Sequence, residues 1–126
     1  VRLTEGARKE APLSSRRVGQ RLLVSPHTIS VGLAGGVRVS LADHEAARRI
    51  MARLIAHHEA GQEEGMPAEA LIAAGWPGER LLPDAAKNRL YVVIAWLRKQ
   101  GLKDVLWRRF GGYLLDPDLL VVHTPD

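Results

Sequence analysis

Residues 84–115 read DAAKNRLYVVIAWLRKQGLKDVLWRRFGGYLL. Leu90, Val93, Ile94 and Leu97 recur at helical spacing and predict one buried stripe. Lys87, Asn88, Tyr91, Val92, Ala95, Arg98 and Lys99 are left on the other sides. Asp84 stands where a helix cap is expected, and Gly101 where a left-handed residue stops a helix that runs to about Gln100. Beyond it, residues 105–109 and 113–115 flank Phe110-Gly111-Gly112, which reads as a hairpin with a glycine tip. This stretch carries a net charge of +5, whereas the whole chain of 126 residues carries +4. A basic helix beside a basic β-loop has the size and charge to enter a DNA major groove while touching the adjacent backbone.

Outside that stretch the charge is uneven. Residues 1–21 carry +4 and 22–40 carry +1, but 41–83 and 116–126 carry −3 each. The asymmetry predicts one functional side made from the N-terminal arm, the third helix and the hairpin. An ordinary solvated helix face is the plainer reading of the same charges. There is no cysteine, which excludes disulfides, zinc fingers and thiol catalysis together. No apolar run approaches the roughly 20 residues that span a bilayer. Residues 1–20 lack the apolar core of a signal peptide. The expectation is therefore a cytoplasmic, nucleoid-associated protein with no membrane partner.

Residues 1–20 mix Gly, Pro, Ser and charge without periodicity and read as a flexible basic arm or linker. From Arg21 three short β-prone runs, 21–24, 28–33 and 37–41, are split by Ser25-Pro26-His27 and Ala34-Gly35-Gly36. They predict a small antiparallel sheet. Asp43 is placed to cap a first helix in which Ala47, Ile50, Met51, Leu54, Ile55 and His58 share a face. Gly61 ends it. Pro67 suits a first helical position, and residues 68–74 predict a short second helix stopped by Gly75. Residues 21–116 thus form the expected domain, α+β in class. Residues 117–126 form a tail whose apolar 119–123 is suited to an extra edge strand or to docking a partner.

Further matches lie in Val39-Ser40-Leu41 with Glu45 opening the first helix, and in Leu71 with Trp76 after the second. Ile94, Leu97, Arg98 and Lys99 make an Ile-x-x-Leu-Arg-Lys pattern, and Gly112-Tyr113 a Gly-Tyr at the hairpin. In their order and spacing across 21–115 these residues resemble the OmpR/PhoB-type winged helix-turn-helix, the effector domain of bacterial response regulators. The resemblance implies an N-terminal sheet, three helices and a C-terminal hairpin wing, and sequence-specific binding of double-stranded DNA by a transcriptional regulator. It implies a third helix in the major groove and a wing on the backbone or minor groove. Trp76, Pro77, Gly78, Glu79 and Arg80 would form the loop that contacts RNA polymerase. Arg109 stands at the family's wing arginine. Where relatives commonly carry arginines in the middle of the third helix, this chain has Ala95 and Trp96. Trp96 is expected to pack against the hairpin or a neighbouring subunit.

The roles divide by chemistry. Lys87, Arg98, Lys99 and Arg109 suit phosphates. Asn88 and Arg89 suit adenine and guanine edges, and Tyr91 and Val92 a thymine methyl. Arg108 and Arg109 are strand neighbours and should face opposite ways. His27, His44, His57, His58 and His123 form no spaced metal pair, the glycine pairs lack a phosphate-loop pattern, and no serine sits in a nucleophile elbow. No enzyme, cofactor or metal site is expected. The alternative is a winged helix used for protein interaction or homodimerisation through Tyr91, Val92, Ala95 and Trp96, with 119–122 pairing across subunits.

Overall fold

The structure, a computed structural model, describes residues 20–109 and 111–125. The arm expected at 1–20 lies outside the described residues apart from Gln20. The elements run β1 (Arg21–Val24), β2 (Ser30–Leu33), β3 (Val39–Ser40), α1 (Glu45–Glu59), α2 (Ala68–Gly75), α3 (Pro83–Leu97), β4 (Leu106–Arg109), β5 (Gly112–Leu115) and β6 (Leu120–His123). This is the α+β class: the described residues form three α-helices, a four-stranded mixed sheet and a separate hairpin.

Leu22 and Val24 of β1 and Val31 of β2 alternate into the core, as half-buried strands require. The second strand starts later than the sequence pattern suggests because Pro26–Thr28 makes a tight helical turn first. His27 and Thr28 sit there at φ 59 and 56, left-handed values that a β-branched residue rarely adopts. The buried Ser25 fixes the turn: its hydroxyl accepts the Ser30 N–H at 2.8 Å.

The strand order is β3-β2-β1-β6. The first three strands pair antiparallel, but β6 pairs with β1 in parallel, Leu22 opposite Val121 and Val24 opposite His123. The small antiparallel sheet expected of the first three runs is present, and β6, within the tail suited to an extra edge strand, extends it in parallel, so the whole sheet is mixed. Parallel neighbours need a long crossover, and here the three helices and the hairpin form it. Two histidines hold the return in place. His58 Nε2–H donates to the Leu119 carbonyl at 2.7 Å, and His123 Nε2 lies 2.7 Å from the Glu59 carboxylate.

The helices pack their apolar faces under the sheet and hairpin. Ile50, Met51 and Leu54 of α1, Leu71 of α2, and Leu90 and Leu97 of α3 are fully enclosed. Two expected caps are corrected. Asp43 lies one residue too early, because a turn donating the His44 N–H to the Leu41 carbonyl delivers the chain with His44 at the cap position. Asp84 falls inside the first turn of α3, since Pro83, which lacks an N–H to satisfy, already starts the helix. Beyond Leu97 a wide π-type turn, Arg98–Leu102, closes on Gly101 at φ 101, where the left-handed stop is required.

The hairpin has a third backbone partner. Met66 and Tyr113 exchange both backbone hydrogen bonds, at 2.7 and 2.9 Å. The approach is so close that a Cβ on Gly112 would sit on the Met66 carbonyl oxygen. Residues 62–65 thus lead from α1 into the one-residue bridge that holds the hairpin.

Candidate nucleic-acid interface

On a helix advancing about 100° per residue, Asn88, Val92, Ala95 and Lys99 lie along one line opposite the buried Leu90 and Leu97. All four are exposed, Val92 at 62%. This outward line is small and mostly uncharged apart from Lys99. The charge lies beside it.

On the flank nearer the hairpin, Lys87, Tyr91 and Arg98 follow one another at helical spacing. Arg108 of β4 reaches across to this flank. Its guanidinium carbon lies 5.6 Å from the Tyr91 ring centre and 5.5 Å from that of Tyr113. Arg108 and Tyr113 are directly opposed in the hairpin register, so they share a face. Tyr113 is 4% exposed. Burial raises its phenol above the ordinary value of 10.0, while the nearby charges of Arg108 and Arg98 pull it back. Neither Lys87, Arg98, Lys99 nor Arg108 makes an ion pair among the described residues.

Arg109 faces the other way from Arg108, as neighbours on a strand should. Its guanidinium carbon lies 4.2 Å from the centre of the Trp107 ring. The Trp107 indole N–H donates to the Asp104 carbonyl at 2.9 Å, which fixes the ring on which Arg109 rests. Trp107 also borders a shallow depression with Gln20, Arg98, Lys103 and Asp104.

The opposite flank of α3 is differently occupied. Arg89, a candidate base reader by residue type, pairs with Glu79 at 3.2 Å and lies over Trp76 at 5.9 Å. Its charge is already met within the chain. Trp76 is half-buried against the core, while Pro77, Gly78, Glu79 and Arg80 are exposed. The Arg89–Glu79 pair ties this loop to α3. Trp96 packs neither on the hairpin nor on open solvent. It is half-buried, and its ring centre stands 4.2 Å from that of His44 at the start of α1. A groove between these helices is lined by His44, Glu45, Trp76, Val92 and Trp96. Glu45 there lies below the ordinary carboxylate range, chiefly because Arg48 donates a hydrogen bond to it at 2.6 Å.

The structure thus sets Lys87, Tyr91 and Arg98 on the flank that Arg108 reaches, and Lys99 on the outward line with Asn88 and Val92; Arg89 is paired with Glu79 on the other flank, and Arg109 lies on the Trp107 face of the hairpin. Sequence reasoning missed the Met66 bridge and the tyrosine pair around Arg108. Only the alternation of β4 and β5 hinted at the second, by putting Arg108 and Tyr113 on one hairpin face. No helix among the described residues is long and apolar enough to cross a membrane. No group of three or more His, Asp or Glu side chains among them is placed to hold a metal ion. In comparisons with known proteins, no family model, no curated protein and no solved structure matches this chain.

Proposed function

We propose that this chain is a winged helix-turn-helix module that binds double-stranded DNA as a bacterial transcriptional regulator. On this reading α2 and α3 are the helix-turn-helix, α3 lies in the major groove, and the β4–β5 hairpin is the wing on the neighbouring backbone or minor groove. The observation that carries it is that Lys87 and Arg98 of one helix flank and Arg108 of the hairpin that reaches it, with Lys99 on the adjoining outward line, have no ion-pair partners among the described residues. Cations left without a carboxylate partner on one face suit a regularly spaced array of phosphates. Asn88 and Val92 on the outward line are placed for base edges. The loop from Trp76 to Arg80 is fixed beside α3 and is the candidate surface for RNA polymerase.

The test is fluorescence anisotropy of the chain with a labelled random duplex over a series of salt concentrations. Binding that weakens linearly with the logarithm of salt supports the reading. A second reading, a protein-interaction or homodimer module, draws on the exposure of Val92 at 62% and Tyr91 at 44% on the same helix. Folded protein that fails to bind duplex at low salt, yet self-associates in a salt-insensitive way, selects that second reading.

A further inference from the structure

We infer that Arg108, held between Tyr91 and Tyr113, is a preset contact for a backbone phosphodiester at the junction of α3 and the hairpin, and that Tyr91 is a positioning residue for it. The inference rests on the DNA-binding reading and assigns Tyr91 a task other than contact with a base.

Tyr113 is immobilised by burial and by both backbone bonds to Met66. Tyr91 is carried by a helix whose Leu90 and Ile94 are buried, so its backbone is fixed while its ring stays 44% exposed. The Arg108 guanidinium lies over both rings, at 5.6 and 5.5 Å. An arginine side chain ordinarily gives up considerable rotamer freedom when it is fixed on a ligand. Here the two rings favour one placement of the guanidinium before any ligand arrives. Aromatic faces attract the cation without cancelling its charge, and they leave the planar fork of N–H donors at its edge. A phosphate oxygen pair matches that fork. No carboxylate pairs with Arg108 among the described residues, in contrast to Arg89.

Arg108 comes from β4 and Tyr91 from α3, so the contact bridges the two elements that the reading places on the duplex. Lys87 and Arg98 lie on the same flank of α3. One strand of phosphates running past that flank would meet Lys87, Arg108 and Arg98 together.

The experiment measures duplex affinity against salt for Arg108→Ala, Tyr91→Phe, Tyr91→Ala and the double variant Tyr91→Ala with Arg108→Ala. Unfolding in urea provides the check that each is folded. Arg108→Ala is expected to weaken binding about threefold to tenfold and to reduce the salt slope by about one. Tyr91→Ala should weaken it about twofold to fivefold, Tyr91→Phe should match the native chain, and the double variant should be no weaker than Arg108→Ala. Multiplying effects in the double variant would show that Tyr91 acts independently of Arg108 and overturn the inference. So would a loss in Tyr91→Phe equal to that in Tyr91→Ala, since the hydroxyl would then be the contact. If Arg98→Ala with Lys99→Ala weakens binding while Arg108→Ala does not, the Arg108 contact is wrong and the DNA reading stands. If the native chain binds no duplex at low salt, the reading itself has failed and the inference falls with it.

Discussion

Arg89 and Arg108 stand on either side of the exposed face of α3, and each places its guanidinium over an aromatic ring, yet they are held in different ways. Arg89 lies over Trp76 and is paired with Glu79 at 3.2 Å. Arg108 lies over Tyr91 and Tyr113 and is paired with no carboxylate among the described residues. A cation already matched by a carboxylate must exchange that partner before it can gain a phosphate. A cation held only by rings keeps its full charge for the next anion. By residue type the two arginines are equivalent candidates for DNA. Their partners make one a fastener of the loop and the other a candidate for the ligand.

The contrast is broken most severely by displacing the hairpin that carries Arg108. Gly112→Ala forces a Cβ onto the Met66 carbonyl, where only backbone can yield. The expected loss is about 1–3 kcal/mol of stability, read from urea unfolding. Duplex affinity should fall with it, while the Arg89–Glu79 side is untouched. A variant as stable as the native chain would mean that the Met66–Tyr113 bridge gives way easily and does not fix Arg108.

The next effect in size comes from the charges just beyond the end of α3. Arg98→Ala with Lys99→Ala is expected to weaken binding about tenfold at moderate salt and to flatten the salt slope by about one to two. The loss should be the same for unrelated duplexes, because phosphates carry no sequence. Unchanged affinity would place α3 away from DNA altogether. A loss that depends strongly on duplex sequence would instead make one of these residues a base reader.

What the sequence revealed, and what it hid, follows the range of the forces involved. The buried stripe Leu90, Ile94 and Leu97 and the stop at Gly101 were legible because periodicity and backbone conformation are local. The hairpin was legible for the same reason, from its glycine tip. The parallel pairing of β6 with β1 was not, since residues about a chain length apart leave no spacing signal, and a run such as Leu120-Val121-Val122 suits either a sheet edge or an interface. The Met66 bridge is a single residue and has no period to detect. The caps failed for a subtler reason. Acidic residues stood close to both helix starts, but a proline at Pro83 and a backbone turn at Leu41 decided the starts instead. For the site, residue types gave the list of cations, and only the packing of the Trp76–Arg80 loop and the tyrosines sorted that list into two groups.

A smaller effect, in pH, sharpens the Arg108 side. Burial makes the Tyr113 phenol harder to ionise in the folded chain than in the unfolded one, against the opposing charges of Arg108 and Arg98. Its contribution to stability is then complete below pH 10 and is lost as pH rises through the raised value. Tyr113→Phe keeps the ring under Arg108 and removes the ionisation. Stability measured against pH should therefore fall less steeply above pH 10 in this variant than in the native chain. Parallel curves would show that the phenol is solvated in the folded state.

The smallest expected effect tests the other arginine. Arg89→Ala should leave duplex affinity within about twofold and the salt slope unchanged, and should cost less than about 1 kcal/mol of stability, as exposed ion pairs do. That result alone does not distinguish a neutralised arginine from one merely distant from DNA. Glu79→Ala separates them, because it releases the Arg89 guanidinium while leaving it beside α3. A modest gain in affinity, about twofold at low salt, is expected for all duplexes. Removing a negative charge would by itself produce some gain, so the deciding measurement is the double variant Arg89→Ala with Glu79→Ala. If the gain disappears there, the carboxylate was holding back an arginine within reach of phosphate. If it persists, Arg89 is out of reach and its only task is to hold the loop.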